Sequence, residues 1–90
     1  AARLCALNIL SQAKAALGDL DRITLCLRLN GFVNSAPDFT DQPSVINGAS
    51  DLMGQVLGTS GVHSRIAVGC ARLPMGAAVE VDAVFAVSPA

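Results

Sequence analysis

Two charged side chains near the carboxyl end of the chain could take part in chemistry. Arg65 precedes an apolar run, and a guanidinium in such a setting can bind a carboxylate through two parallel hydrogen bonds. Glu80 stands between Val79 and Val81, where a carboxylate in a partly desolvated cleft can hold or activate water. Each has an alternative: Arg65 could make a surface ion pair, and Glu80 could face solvent. Asp82 shares the strand face of Glu80, and for it we favour the solvent-facing role.

The other reactive side chains give weaker signals. His63 lies in a glycine-rich loop without a second ligand at metal-binding spacing, so we predict no metal site and interpret it as a loop residue beside the site. The three cysteines, Cys5, Cys26 and Cys70, are widely spaced within apolar segments, which predicts buried reduced thiols. A phosphate-binding glycine loop and a GxSxG motif are both missing from the sequence, so we predict chemistry without a cofactor.

The composition bears on partners and location. The 90 residues carry a net charge of −1 and neither Trp nor Tyr, which gives no support to nucleic acid binding. Although 52% of the residues are hydrophobic, charges and helix breakers interrupt every window of the roughly 20 apolar residues that a membrane span needs. With no secretion signal apparent, we predict a cytoplasmic protein without membrane contact. The apolar excess is expected to lie partly between subunits.

The first half of the chain predicts one helix and one strand. Leucines at spacings of three and four, followed by Gly18, predict an amphipathic helix from Ala2 to Leu17. Alternation from Ile23 to Val33 predicts a strand. The expected apolar positions are Leu4, Leu7, Leu10 and Leu17 of the helix and Ile23, Leu25, Leu27 and Leu29 of the strand.

The second half predicts a further helix and two strands. After a proline-containing loop, Ser44 is the expected N-cap of a helix that runs from Val45 to Leu57. The runs from Arg65 to Leu73 and from Val79 to Val87 are β-rich and separated by PMGAA, which predicts an antiparallel pair. This order predicts an α+β fold with two helices packed on one face of a mixed sheet.

A signature at the carboxyl end resembles that of a known family. It consists of Arg65, the turn Arg72-Leu73-Pro74, and Glu80 within the alternating segment VEVDAVF. Upstream, AALGDLDRI and DFTDQPSVIN are similar to a helix end and a loop of the same family. The chain thus resembles the RidA/YjgF family of reactive intermediate deaminase-like proteins, also described as L-PSP endoribonuclease-like. The segments GFVNSAPDF and VINGASDL resemble a divergent subgroup.

The resemblance implies a chorismate mutase-like fold of the bacillus type and a homotrimer with clefts between subunits. Residues 1–90 then form a single domain that lacks the amino-terminal strands of longer family members. The implied activity is cofactor-independent enamine and imine deamination, in which 2-aminoacrylate-type intermediates are hydrolysed to 2-ketoacids and ammonia. The alternative is a trimer that binds a small carboxylate or ketoacid without converting it.

Four residues carry the implied site. Arg65 is expected to bind the substrate carboxylate, as its family counterpart does, and Glu80, the acidic residue of the signature, is expected to hold or activate water. Asn47 matches a family asparagine that can reach the cleft, although a helix-surface role is equally open. Ala67 stands where well-studied members have a cysteine two residues after the arginine, and its small side chain would leave room for a ligand.

Overall fold

The structure is a computed structural model that describes residues 1–89. Its regular elements are α1 (Ala2–Leu17), β1 (Ile23–Asn34), α2 (Gln42–Leu57), β2 (Ser64–Cys70) and β3 (Val79–Val87). Both helices pack on one face of a three-stranded mixed sheet. The predicted α+β architecture is therefore confirmed.

The strand pairing differs from the prediction. The sheet order is β2-β1-β3, with β1 parallel to β2 and antiparallel to β3. The predicted antiparallel pair of β2 and β3 is wrong because α2 carries the chain back across the sheet, as a crossover between parallel strands requires. The 12-residue β1 is the central strand of the sheet, with β2 along one edge and β3 along the other.

The side-chain alternation of β1 is also irregular. Cys26 and Leu29 are fully buried, whereas Leu25 and Leu27 are 39% and 45% exposed. Burial was predicted for Ile23, Leu25, Leu27 and Leu29 of this strand. The prediction is right for Ile23 and Leu29 and wrong for Leu25 and Leu27, because two irregularities interrupt the pairing with β3, one of them between Cys26 and Arg28. An extra residue in a strand shifts every later side chain to the other face. Burial also raises the pKa of the Cys26 thiol.

Helix α1 buries two alanines together with Leu10, whereas two other leucines of the predicted stripe are exposed. Ala2, Ala6 and Leu10 face the core, while Leu4 is 69% and Leu7 is 46% exposed. The short alanine side chains let α1 approach α2 closely. A Cβ atom on Gly48 would lie 3.3 Å from the Arg3 backbone nitrogen, so the contact between the helices depends on small side chains.

Helix α2 begins three residues earlier than predicted. Its N-cap is Asp41, and Pro43 lies in the first turn, where proline is well tolerated because its missing N–H has no intrahelical partner. Ser44 is therefore not the cap, and its hydroxyl instead donates to Asp41 Oδ1 at 2.7 Å. Further along, Ile46 and Met53 are fully buried. They anchor α2 on the sheet.

The opposite side of the sheet, which we call the open sheet face, carries no helix among residues 1–89. The strand registers place apolar and polar side chains there from all three strands. They are Arg28, Asn30 and Phe32 of β1, Ile66 and Val68 of β2, and Glu80, Asp82 and Val84 of β3. Ile66, Val68 and Val84 are 40%, 39% and 51% exposed, so this face presents apolar surface to solvent.

The sequence also predicted that no segment spans a membrane and that the three cysteines are buried, reduced thiols. Neither 16-residue helix, nor any other helix in residues 1–89, is long and apolar enough to cross a bilayer. The three cysteines are free, but only Cys26 is buried, while Cys5 and Cys70 are half-buried.

Candidate functional site

The half-buried Arg65 lies on the helix-packed face of β2, beside α2. Its Nη1 donates to Ser50 Oγ at 3.1 Å and its Nη2 donates to the Pro43 carbonyl at 3.4 Å. Both acceptors belong to α2, two turns apart. The guanidinium is therefore aligned along the side of the helix.

Ser50 links Arg65 to His63. Ser50 Oγ lies 2.9 Å from His63 Nε2, and His63 Nδ1 lies 2.6 Å from the Gly61 carbonyl oxygen. A carbonyl can only accept, so Nδ1 carries the hydrogen of the neutral ring and Nε2 accepts from the Ser50 hydroxyl. The hydrogen-bond directions are then consistent, because the serine oxygen still has a lone pair for Arg65.

Arg65 keeps donors for a ligand. A guanidinium has five N–H groups, and two of them are used by Ser50 and Pro43, which leaves three. Within residues 1–89, no acidic side chain makes an ion pair with Arg65, so the alternative role in a surface ion pair is not seen in that part of the chain. A half-buried cation with free donors can bind a carboxylate or another planar anion.

Asn47 shares the side of α2 that holds Arg65. Positions 43, 47 and 50 are spaced four and three residues apart, so they lie on one helix face. Asn47 is exposed, and its amide is therefore available beside the guanidinium. Asn47 thus lies on the face of α2 that also holds the two acceptors of Arg65.

Ala67 faces the helices two residues after Arg65. It is half-buried and packs against the hydrophobic core, and its neighbour on β1 is Gly31. A Cβ atom on Gly31 would overlap the Ile46 side chain, so α2 fills the space beside Ala67. Within one chain, Ala67 is a core contact rather than part of an open cleft.

Glu80 lies apart from the Arg65 cluster. Its register partner on β1 is Phe32, and both belong to the open sheet face. Arg65 is on the other face and on the other outer strand, and two strand spacings separate these strands by about 10 Å. One chain therefore does not bring Arg65 and Glu80 into a common site.

A hydrogen-bonded chain of polar groups on the open sheet face was not predicted. Arg28 Nε donates to Asn30 Oδ1 at 2.8 Å, and Asn30 Nδ2 donates to Asp82 Oδ1 at 2.8 Å. The available signal was the spacing of Arg28 and Asn30 on a strand that is mostly apolar. Their pairing with Asp82 could not be predicted because it depends on the register between β1 and β3.

A cavity of about 440 Å³ lies at the other end of β2. Five residues of strand separate Arg65 from Cys70 in its lining, which corresponds to about 17 Å. It is lined by Ser35, Ala36, Pro37, Phe39, Gln42, Gly69, Cys70 and Ala71. Gln42 Nε2 donates to the Phe39 carbonyl at 2.9 Å, and a Cβ on Gly69 would come within 2.9 Å of that nitrogen. Sequence reasoning missed this cavity because loop geometry forms it.

Metal ligands do not converge in the part of the chain that the structure describes. No group of three or more His, Cys, Asp or Glu side chains in residues 1–89 is arranged to hold a metal ion. His63 makes its two ring contacts with Ser50 and Gly61 instead. The candidate site consists of the residues described above, namely Arg65, Ser50, His63 and Asn47.

Comparison with known proteins identifies relatives over most of the chain. The family model described as "YjgF/chorismate mutase-like, putative endoribonuclease" matches residues 1–87. Protein TCP17 of Trypanosoma cruzi is 62% identical over 84 residues, which cover 92% of this chain and 52% of that protein. The chain spans about half the length of this relative.

Two solved structures share the fold. Atu1372 of Agrobacterium tumefaciens, described as a protein of unknown function, superposes with a TM-score of 0.96 at 56% identity, covering 98% of this chain and 56% of that one. A putative endoribonuclease of Shewanella oneidensis superposes with a TM-score of 0.86 at 36% identity, covering 90% and 54%. Both contain the helix and strand arrangement described above, together with further chain.

Proposed function

Because the chain belongs to the YjgF/chorismate mutase-like family, we propose that the protein is a RidA-like enamine and imine deaminase. It hydrolyses 2-aminoacrylate-type intermediates to 2-ketoacids and ammonia without a cofactor. The observation that carries the proposal is Arg65, a half-buried guanidinium that has no acidic partner within residues 1–89 and keeps three free N–H groups. Such a group suits the carboxylate of an amino-acid-derived substrate.

The proposed reaction needs an anchor, a water molecule and a proton acceptor. Arg65 binds the carboxylate through two parallel hydrogen bonds, and Asn47 is available to bind a polar substituent. The carbon of a protonated imine is electrophilic, so water adds to it while Glu80 accepts the proton. The proton then returns to the nitrogen, and the C–N bond breaks as Glu80 takes the remaining hydroxyl proton of the adduct, so that ammonia leaves and the carbonyl of the ketoacid forms.

Glu80 serves this reaction only if a second chain supplies it. We therefore propose a homotrimer in which the open sheet faces pack together and the clefts form between neighbouring chains. The exposed Ile66, Val68 and Val84 support this proposal because association would remove their surface from water. Closed rotational symmetry is usual for such assemblies.

The substitution Val84→Asp tests the assembly. We expect a trimer of three 9.2 kDa chains in wild-type protein and a monomer in the variant, because a third carboxylate beside Glu80 and Asp82 on this face of β3 would replace apolar surface and would have to be desolvated between the chains. Light scattering during gel filtration measures the mass. Leu4→Asp is the matched control, since Leu4 is also exposed but lies on α1. A monomeric wild type, or an equal effect of both substitutions, would contradict the trimer.

A second function, binding without turnover, is favoured by Ala67. Its methyl group packs against the core at the position where family enzymes have a thiol, so this chain has no nucleophilic sulfur beside Arg65. The protein would then hold a small carboxylate or ketoacid in the same cleft. Arg65 and Asn47 would keep their roles, and Glu80 would not act on water.

One experiment separates the two functions. Binding of 2-oxobutanoate is measured by calorimetry, and ammonia release is measured during quenching of 2-aminoacrylate. Saturable binding together with ammonia release supports the deaminase. Binding alone supports the second function, and the absence of both would contradict the proposed role of Arg65.

The proposed partners and location follow from the same considerations. A net charge of −1 without Trp or Tyr favours a small-molecule substrate over RNA. Three free thiols are usual for a reducing compartment, which supports a cytoplasmic location.

A further inference from the structure

We propose that Ser50 is a nucleophile activated by His63, and that it accepts acyl groups from small esters. This activity is separate from the deamination proposed above. It is inferred from the hydrogen-bonded chain that joins Arg65, Ser50, His63 and the Gly61 carbonyl.

The distances agree with those of an activated serine. Ser50 Oγ lies 2.9 Å from His63 Nε2, and the Gly61 carbonyl accepts from His63 Nδ1 at 2.6 Å. A nucleophile within hydrogen-bond reach of a base, with the base oriented by a third group, is the arrangement of serine nucleophiles in general. Here a main-chain carbonyl takes the orienting position that a carboxylate has in many hydrolases.

The Gly61 carbonyl is held by its own surroundings. Gly61 ends a short 3-10 turn, Gly58–Gly61, and is buried against α2. A Cβ atom at this position would overlap the Met53 carbonyl, so only glycine brings the turn this close to the helix. The His63 ring is thereby fixed in the tautomer that can take a proton from Ser50.

Arg65 places a positive charge beside the oxygen atom of Ser50. Its Nη1 lies 3.1 Å from Ser50 Oγ, so the cation stabilises negative charge as it develops on the serine oxygen. The remaining N–H groups of Arg65 are the donors that we assign to the oxyanion of the tetrahedral intermediate. The nucleophile, the base and the oxyanion donor are then adjacent.

The hydrogen bonds among Ser50, His63 and Arg65 are not needed merely to satisfy buried polar atoms. Ser50, His63 and Arg65 are all half-buried, so water could satisfy their polar atoms if the side chains turned outward. Ser44, on the same helix, has a different contact, since its hydroxyl donates to Asp41. The chain contains one histidine, and Ser50 is the serine that this histidine contacts.

The proposed step is as follows. Ser50 Oγ attacks the carbonyl carbon of the ester while its proton passes to His63 Nε2. The tetrahedral intermediate then collapses, the bond to the alcohol oxygen breaks, and the leaving alcohol takes the proton from His63. Water later attacks the acyl-serine with His63 as the base again, which releases the carboxylic acid and restores the hydroxyl.

Covalent labelling tests the proposal. The protein is incubated with p-nitrophenyl acetate or a fluorophosphonate, and the adduct is located by peptide mass spectrometry. We expect an adduct on Ser50 and not on Ser44 of the same molecules. Ser50→Ala should abolish labelling, Ser44→Ala should leave it unchanged, and His63→Gln should slow it at least about 100-fold, as loss of a general base does.

Several results would overturn the proposal. These are the absence of any adduct on Ser50, equal labelling of Ser44 and Ser50, or unchanged Ser50 labelling in His63→Gln. The comparison of the two serines is made within the wild-type protein, so it decides the matter even if a variant fails to fold. Because the readout is an adduct, it does not depend on whether the protein deaminates imines.

Discussion

Replacement of Arg65 by alanine is expected to weaken the binding of 2-oxobutanoate by about 30- to 1000-fold, as loss of charged hydrogen bonds worth about 2–4 kcal/mol implies. The guanidinium has no acidic partner within residues 1–89 and keeps three N–H groups after its contacts with Ser50 and Pro43. Its removal therefore takes away the anchor of the carboxylate. Calorimetry on folded protein measures the effect.

Two further variants make the Arg65 experiment specific. Arg65→Lys keeps the charge but not the planar pair of donors, so we expect intermediate affinity. Arg72→Ala removes an exposed arginine from the same part of the chain and should bind as wild type does. If Arg65→Ala bound the ketoacid as tightly as Arg72→Ala, Arg65 would not be the anchor.

The substitution Gly61→Ala is expected to lower the free energy of unfolding by about 2–3 kcal/mol and Tm by about 10–20 °C. The added Cβ would overlap the Met53 carbonyl, which belongs to the α2 backbone and cannot turn aside as a side chain can. The turn would move away from the helix, and the His63 contact with Ser50 would lengthen. Thermal unfolding followed by circular dichroism measures the effect.

Gly54→Ala is the matched control for Gly61→Ala. Gly54 lies within α2, and a Cβ there would meet nothing within 4 Å. Alanine favours a helix interior over glycine by about 0.5–1 kcal/mol, so this variant should be slightly more stable than wild type. Equal destabilisation by the two substitutions would show that the close approach at Gly61 is not what limits stability.

Local patterns predicted the elements but not how they pair. The limits of α1 and β3 followed from periodicity and from Gly18, because both signals are contained in the segments themselves. The pairing of β2 with β1 instead of β3 depends on contacts distant in sequence. The two irregularities of β1 depend in turn on that pairing, so they were hidden from sequence reasoning as well.

Side-chain size explains the remaining error in α1. The leucine periodicity predicted that Leu4 and Leu7 would be buried, yet Ala2 and Ala6 occupy the core. Close packing of α1 against α2 favours small side chains, and a hydrophobicity pattern gives most weight to large ones. The choice between the two faces required knowledge of the neighbouring helix.

The candidate site was predictable in part. The family signature predicted Arg65, and helix spacing puts Asn47 on the face of α2 that Arg65 contacts. The separation of Glu80 from Arg65 depends on which face each strand presents, and this is set by the registers with β1. The contact of His63 with Ser50 has no local signal, because it joins a loop to a helix.

The proposed binding of a small carboxylate by Arg65 is tested most directly by an NMR titration of the arginine Nε–H signals with 2-oxobutanoate, with the Arg65 signal assigned by its loss in Arg65→Lys. We expect the Arg65 signal to shift and saturate while the Arg72 signal remains in place. A stationary Arg65 signal at ketoacid concentrations that saturate binding, or equal shifts of Arg65 and Arg72, would contradict it.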